Sequence, residues 1–179
     1  MRRAHLQLSF LFLLVFLPFA NCHAFDAYSL SLGNSAHGAM TSVNLGVRKI
    51  LMPELFQTTT GTGSLSLEGA VGWWNDKGDN FANVSLVPLV MYTFDKVFSG
   101  WRPYVEIGVG PGLVSDTVVE GRKLGSSLLF MNKFGAGVIF GDDSQYRLGI
   151  RYHHMSNADL ASHNDGIDLG LLLLEYSLE

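Results

Sequence analysis

The sequence predicts an all-β fold, an eight-stranded antiparallel transmembrane β-barrel. Three observations predict it. The chain opens with an export signal. Its composition is apolar for an exported chain, with 47% hydrophobic residues, 20 glycines and only 16% charged residues. Past the leader no run of some 18 apolar residues is long enough to span a membrane as a helix. Instead, apolar and small or polar residues alternate in segments of about ten residues, which is how barrel strands read. A closed barrel satisfies every backbone hydrogen bond inside lipid, so it crosses without a helix.

The leader comes first. Met1-Arg2-Arg3 is basic, Leu6 to Ala20 is apolar apart from Gln7 and Ser9, and Cys22 and Ala24 place small residues three and one positions before a cut. This is the pattern of a secretory signal peptide. Cleavage after Ala24 makes 1–24 the leader and 25–179 a single barrel domain. Cys22 is the only cysteine, and Asn21 before it disfavours lipid modification. The exported chain then has no disulfide framework, thiol nucleophile or thiolate metal site. Net charge is -4, without the basic face that nucleic acid requires.

Eight strands follow in order. Ala27–Asn34 sets Tyr28, Leu30 and Leu32 against Ser29, Ser31 and Gly33. Met40–Lys49 sets Val43, Leu45 and Val47 against Ser42, Asn44, Gly46 and Arg48. Ser64–Trp74 sets Leu65, Leu67, Val71 and Trp73 against Ser64, Ser66, Glu68 and Gly72. Ala82–Phe94 sets Val84, Leu86, Val90, Tyr92 and Phe94 against Asn83, Ser85 and Thr93. Pro103–Leu113 sets Val105, Ile107 and Val109 against Tyr104, Glu106, Gly108 and Gly110. Leu128–Phe140 sets Phe130, Phe134, Val138 and Phe140 against Lys133, Gly135 and Gly137. Gln145–Ser156 sets Tyr146, Leu148, Ile150 and Tyr152 against Gln145, Arg147, Gly149 and Arg151. Ile167–Leu178 sets Leu172, Leu174, Tyr176 and Leu178 against Glu175 and Ser177.

Small inward residues suit eight strands, whose interior is just wide enough to be filled by side chains. Glu68, Glu106, Arg48, Lys133, Arg147 and Arg151 share the inward rows and are expected to pair there, leaving no wide pore. Trp73, Trp74, Tyr92, Trp101, Tyr104, Tyr146, Tyr152 and Tyr176 lie near strand ends and are expected as interface aromatics. Gly141–Ser144 and Asp95–Trp101 are short links at one end, while 53–63, 75–81, 114–127 and 157–166 are mostly longer. A soluble ligand-carrying barrel would invert the pattern, with apolar rows inside.

The stretch R-Y-H-H-M-S-N-A-D-L at 151–160 carries the chemistry. Side chains two apart in a strand share a face. Extending the outward row Tyr146, Leu148, Ile150, Tyr152 reaches His154 and Ser156. In the last strand the outward row Leu172, Gly170 reaches Asp168. The loop 157–166 joins the two strands, so three polar groups meet on the outer surface near one interface. A serine hydroxyl needs a base to become a nucleophile. His154 lies within reach of Ser156, and Asp168 can hold its other ring nitrogen. Asn164 and the backbone N–H groups of Ala158 and Asp159 are candidate oxyanion donors, and Asn157 shapes the loop or orients a site residue. Polar residues here also suit the plain start of an exposed loop.

With H-x-S-N-A at His154–Ala158, then Asn164, Gly166 and Asp168, the sequence resembles the lipid A 3-O-deacylase (PagL) family of Gram-negative outer membranes. The resemblance extends to the signal peptide, the eight short strands and the catalytic hairpin at the end. It implies a serine esterase that removes the 3-position acyl chain of lipid A, with Ser156 as nucleophile, His154 as base, Asp168 as the acidic member and Asn164 as an oxyanion donor. The family's site faces the lipid. The chain departs from the pattern with Asp168 where glutamate is expected, Asp159 where glycine is expected, and Leu178-Glu179 in place of a terminal aromatic residue.

This reading expects lipopolysaccharide as substrate, outer-membrane lipid as surroundings, no cofactor, no metal and no nucleic acid, and leaves monomer or homodimer open. Other readings stand beside it. An outer-membrane phospholipase also uses H-x-S on an outward strand, with a larger barrel and an amide as third member. A structural or adhesive barrel would carry no chemistry. A metal site would need His153, His154 and His163 together, but the first two alternate faces and the third sits on a loop.

Overall fold

The computed structural model describes residues 24–36 and 40–178 of the 179. Residues 1–23 of the expected leader 1–24, Cys22 included, lie outside the described residues. The strands are β1 (Ala27–Ser35), β2 (Met40–Gln57), β3 (Gly61–Asp76), β4 (Asp79–Phe94), β5 (Arg102–Val114), β6 (Val118–Val119), β7 (Arg122–Lys123), β8 (Leu128–Phe140), β9 (Tyr146–Ser156) and β10 (Ile167–Ser177). Eight of them close a barrel in the order β1-β10-β9-β8-β5-β4-β3-β2, and β6-β7 forms a separate two-stranded hairpin. Every barrel pairing is antiparallel.

Each strand expected from alternation is present, but two connections are shorter than the sequence suggested. The segment 53–63 is mostly strand, with β2 running to Gln57 and β3 starting at Gly61. Pro53 cannot donate to a ladder. The register accordingly shifts between Ile50 and Phe56 before pairing resumes at Phe56↔Gly63. The remaining link lies at the barrel end where β1 starts and β10 finishes, with the other short turns. The segment 75–81 reduces to a turn at Lys77-Gly78, both with positive φ of 49° and 105°. Loops 115–127 and 157–166 are the long ones, and both lie at the opposite end.

Burial alternates along the strands. Leu30, Leu32, Leu45, Val71, Ile107, Ile150, Leu172 and Leu174 stand exposed around the outside. Outside the membrane such a wall would be costly, whereas lipid accepts it and the closed ladder leaves no strand edge unpaired within it. Trp73 is on this wall, 59% exposed, but Trp74 and Tyr104 are each 1% exposed and point into the lumen. These two are corrections to the expected aromatic belt. Adjacent residues of one strand take opposite faces, so Trp73 and Trp74 cannot both face lipid. A belt does form at the end holding the short turns. Trp101 stacks on Phe140 (5.0 Å between ring centres), Phe140 on Tyr146 (5.4 Å), and Tyr146 lies 5.5 Å from Tyr176.

The lumen is filled by one chain of alternating charges. Lys133 Nζ meets Glu68 at 2.6 Å, Arg151 meets Glu68 at 3.0 Å and Glu106 at 2.6 Å, and Arg147 meets Glu106 at 2.6 Å and Glu175 at 2.5 Å. Glu175 also pairs with Arg48. The chain ties together β8, β3, β9, β5, β10 and β2 across the barrel. Inward glycines make room for it. A Cβ on Gly135 would lie 2.6 Å from Glu106 Oε1, and one on Gly149 would lie 2.2 Å from the Tyr104 hydroxyl. Arg147 in turn sits 4.9 Å from the centre of the Tyr104 ring. At the long-loop end the filling turns apolar, with Met40, Trp74, Phe81, Leu129, Met131, Met155 and Leu169 beneath Val119 of the β6-β7 hairpin and Leu124 just after it. The hairpin therefore closes that end of the barrel.

Candidate functional site

The β9-β10 pairing places Asp168 directly opposite His154, and Gly170 opposite Tyr152. His154 Nδ1 is 2.6 Å from Asp168 Oδ1, with the two side chains 34% and 29% exposed. Both stand on the outer row, since Arg147, Gly149, Arg151, His153, Met155 and Asn157 take the buried row of the same segment. Ser156 is half-buried and two residues further along the outer face. The structure thus brings His154 and Asp168 into contact. It sets Ser156 beside them, without a hydrogen bond from Ser156 Oγ to the imidazole among the described residues. His153 is buried in the lumen at 3% exposure, on the opposite side of the wall from His154.

Two neighbours were not singled out from sequence as site residues. The Tyr152 hydroxyl donates to Asp168 Oδ1 at 2.5 Å. Asn132 of β8 pairs opposite His154 and shares the outward row with Phe130 and Phe134. Both lay within reach of the sequence argument. Tyr152 is one step down the His154 row, and Asn132 is a polar residue between two outward phenylalanines.

The loop after Ser156 turns back at once. Leu160 N–H donates to Asn157 O at 3.1 Å, and Ala158 and Asp159 take left-handed backbone with φ of 54° and 62°. Neither is glycine, and such a conformation costs an ordinary residue roughly 1–2 kcal/mol. Asn164 bridges the turn. Its Oδ1 accepts the N–H of Asn157 at 2.8 Å, and its Nδ2 donates to Asp159 Oδ1 at 2.9 Å. The Asn157 side chain points inward and donates to Leu124 O at 2.7 Å and to His163 O at 2.6 Å.

The β6-β7 hairpin holds this loop from the far side. Arg122 Nε donates to Gly166 O at 2.6 Å, and its guanidinium also bonds Asp165 O. Lys123 N–H donates to Asp165 Oδ2 at 2.7 Å, and Asp165 N–H returns to Lys123 O at 3.1 Å. The hairpin reaches the other wall through Glu120, which accepts from Ser35 Oγ at 2.6 Å and Met40 N–H at 2.9 Å. Gly166 ends the loop with φ of 63°, and a Cβ there would lie 3.0 Å from His154 Cε1. The loop backbone therefore rests against the imidazole.

From Tyr152 towards the middle of the wall runs an open groove of about 580 Å³, bounded by Phe134, Ala136, Ile150, Tyr152, Gly170 and Leu172. At Gly170 an added Cβ would meet nothing within 4 Å, so a methyl group there would leave most of the groove free.

An apolar-walled, internally plugged barrel of eight strands is an outer-membrane β-barrel, and its outer-wall histidine and carboxylate are groups that hydrolases use. The comparisons supply the family. Residues 41–177 match the lipid A 3-O-deacylase (PagL) model. The lipid A deacylase PagL of Pseudomonas aeruginosa is 32% identical over 153 residues, covering 83% of this chain and 84% of the relative. The lipid A deacylase PagL of Bordetella bronchiseptica is 31% identical over 111 residues, covering 60% and 58%. Among solved structures, the outer membrane enzyme PagL superposes with a TM-score of 0.76 at 28% identity, covering 85% of this chain and 99% of that one. Neisserial surface protein A, at 12% identity and a TM-score of 0.52, shares the fold. The chain belongs to the lipid A 3-O-deacylase (PagL) family, and is an ester hydrolase of the outer membrane.

Proposed function

We propose that this chain hydrolyses the 3-O-linked acyl ester of lipid A at its lipid-facing wall, with Ser156 as nucleophile, His154 as general base and Asp168 as the residue that orients His154. The observation that carries this reading is the 2.6 Å contact between His154 Nδ1 and Asp168 Oδ1 on the outer row, beside Ser156. Asp168 accepts a hydrogen bond from Nδ1–H, which holds the tautomer whose Nε2 lone pair is free to act as base. Ser156 Oγ closes onto Nε2 as substrate binds, since catalytic hydrogen bonds tighten in the substrate complex. Oγ then attacks the ester carbonyl carbon and its proton passes to Nε2. The tetrahedral oxyanion is met by the second amide hydrogen of Asn164 and the N–H groups of Ala158 and Asp159. Collapse breaks the bond to the sugar oxygen, which leaves with the proton from Nε2. Water, activated by His154 in the same way, releases the fatty acid from Ser156.

The groove supports the substrate class. Its apolar walls suit an acyl chain, and it opens to the lipid side, so the chain enters without crossing water. The test is mass spectrometry of lipid A after incubation with the refolded barrel, beside its Ser156→Ala variant. The expected result is loss of one 3-linked hydroxyacyl chain with the parent only. Release from phospholipid instead would reassign the substrate, and hydrolysis by the Ser156→Ala variant at the parent rate would reject the site.

A further inference from the structure

We infer that Tyr152 is a positioning residue of the hydrolytic site, its hydroxyl clamping Asp168 against His154. The inference rests on the deacylase reading above. Asp168 Oδ1 accepts two hydrogen bonds, from Tyr152 OH at 2.5 Å and from His154 Nδ1 at 2.6 Å. Both donors stand on the outer row of β9, two residues apart, and Asp168 is on the rung opposite the upper one. Two residues of strand span about 6.8 Å, which the phenol ring crosses to bring its hydroxyl from the rung of Gly170 to the rung of His154.

Such a clamp answers a need created by this chain. An aspartate is one methylene shorter than glutamate, and here it meets the imidazole straight across the ladder. Burial does not hold it, because its side chain is 29% exposed. A hydroxyl given to a carboxylate is among the stronger hydrogen bonds, and a second donor on Oδ1 also stops the carboxylate rotating away from Nδ1. Phe134, 6.4 Å away between ring centres, flanks the Tyr152 ring. An interface aromatic would need no hydroxyl bond to a carboxylate and would tolerate phenylalanine.

The test uses Tyr152→Phe, which keeps the ring and the groove wall and removes only the hydroxyl. It is assayed on lipid A in detergent micelles beside Ser156→Ala, each variant first shown to be a heat-modifiable barrel. The expected result is a kcat lower by about tenfold, the size of one charge-assisted hydrogen bond, with KM unchanged. Asp168→Glu reaches further towards Nδ1, so Tyr152→Phe made in that background should lose less than about threefold. Wild-type kcat in Tyr152→Phe, or the same loss in both backgrounds, overturns the clamp while the deacylase reading stands. Full activity in Ser156→Ala removes the site and the clamp together.

Discussion

Gly166→Ala and Gly170→Ala, a matched pair of substitutions, probe how tightly the loop sets the imidazole. At Gly166 two costs combine. The backbone holds φ at 63°, where alanine is less stable than glycine by roughly 1–2 kcal/mol. The new Cβ also falls 3.0 Å from His154 Cε1, against an optimal carbon–carbon separation of roughly 3.5–4.0 Å. The ring or the loop must therefore give by about half an ångström. A displacement of about 1 Å near the reacting groups can cost about 100-fold in rate, so half of it gives about tenfold. Gly166 is also pinned through its carbonyl to Arg122, which stops the loop from simply lifting away. Gly170 lies in regular strand with open space at the Cβ position, and alanine there should stabilise by about 0.5–1 kcal/mol. The measurements are kcat/KM on lipid A and the denaturant midpoint of the refolded barrel. The expectation is a tenfold slower, less stable Gly166→Ala and an unimpaired Gly170→Ala. Equal rates in the two variants would refute the claim that Gly166 backs the imidazole.

The other predictions concern the charges and the turn. Glu175→Leu leaves Arg48 and Arg147 without their shared buried partner, and breaking such a pair costs about 3–5 kcal/mol. Equilibrium unfolding in detergent should show that loss, while Lys49→Leu, on a surface pair with Asp26, should change stability by about 1 kcal/mol at most. His154→Ala should abolish hydrolysis in the lipid A assay, and Asp168→Asn should reduce it less completely, since the serine and base remain. Asp159→Gly relieves a left-handed non-glycine residue worth roughly 1–2 kcal/mol but removes the acceptor of Asn164 Nδ2, worth about 1 kcal/mol, so the denaturant midpoint should rise only slightly.

Much of this molecule follows from alternation alone. Once a strand's outward row is known, every second side chain is placed, because the period of a strand is two. That placed Glu68, Glu106, Arg48, Lys133, Arg147 and Arg151 inside the barrel, and put His154, Ser156 and Asp168 on the outer row. The same rule set Tyr104 on the inward row, and carried one residue further along its strand it would have turned Trp74 inward; it also puts Tyr152 on the row of His154. Alternation is local to each strand and cannot give register, which depends on hydrogen bonds between strands and on contacts far apart in the chain. Only the tertiary structure therefore paired Asp168 with both His154 and Tyr152, strung Lys133, Glu68, Arg151, Glu106, Arg147, Glu175 and Arg48 into one chain, and continued β2 through Pro53 to Gln57. The hairpin 118–123 is too short for a period to be read. Its hold on the loop at Asp165 and Gly166 exists because the barrel's closure brings two distant loops to the same end.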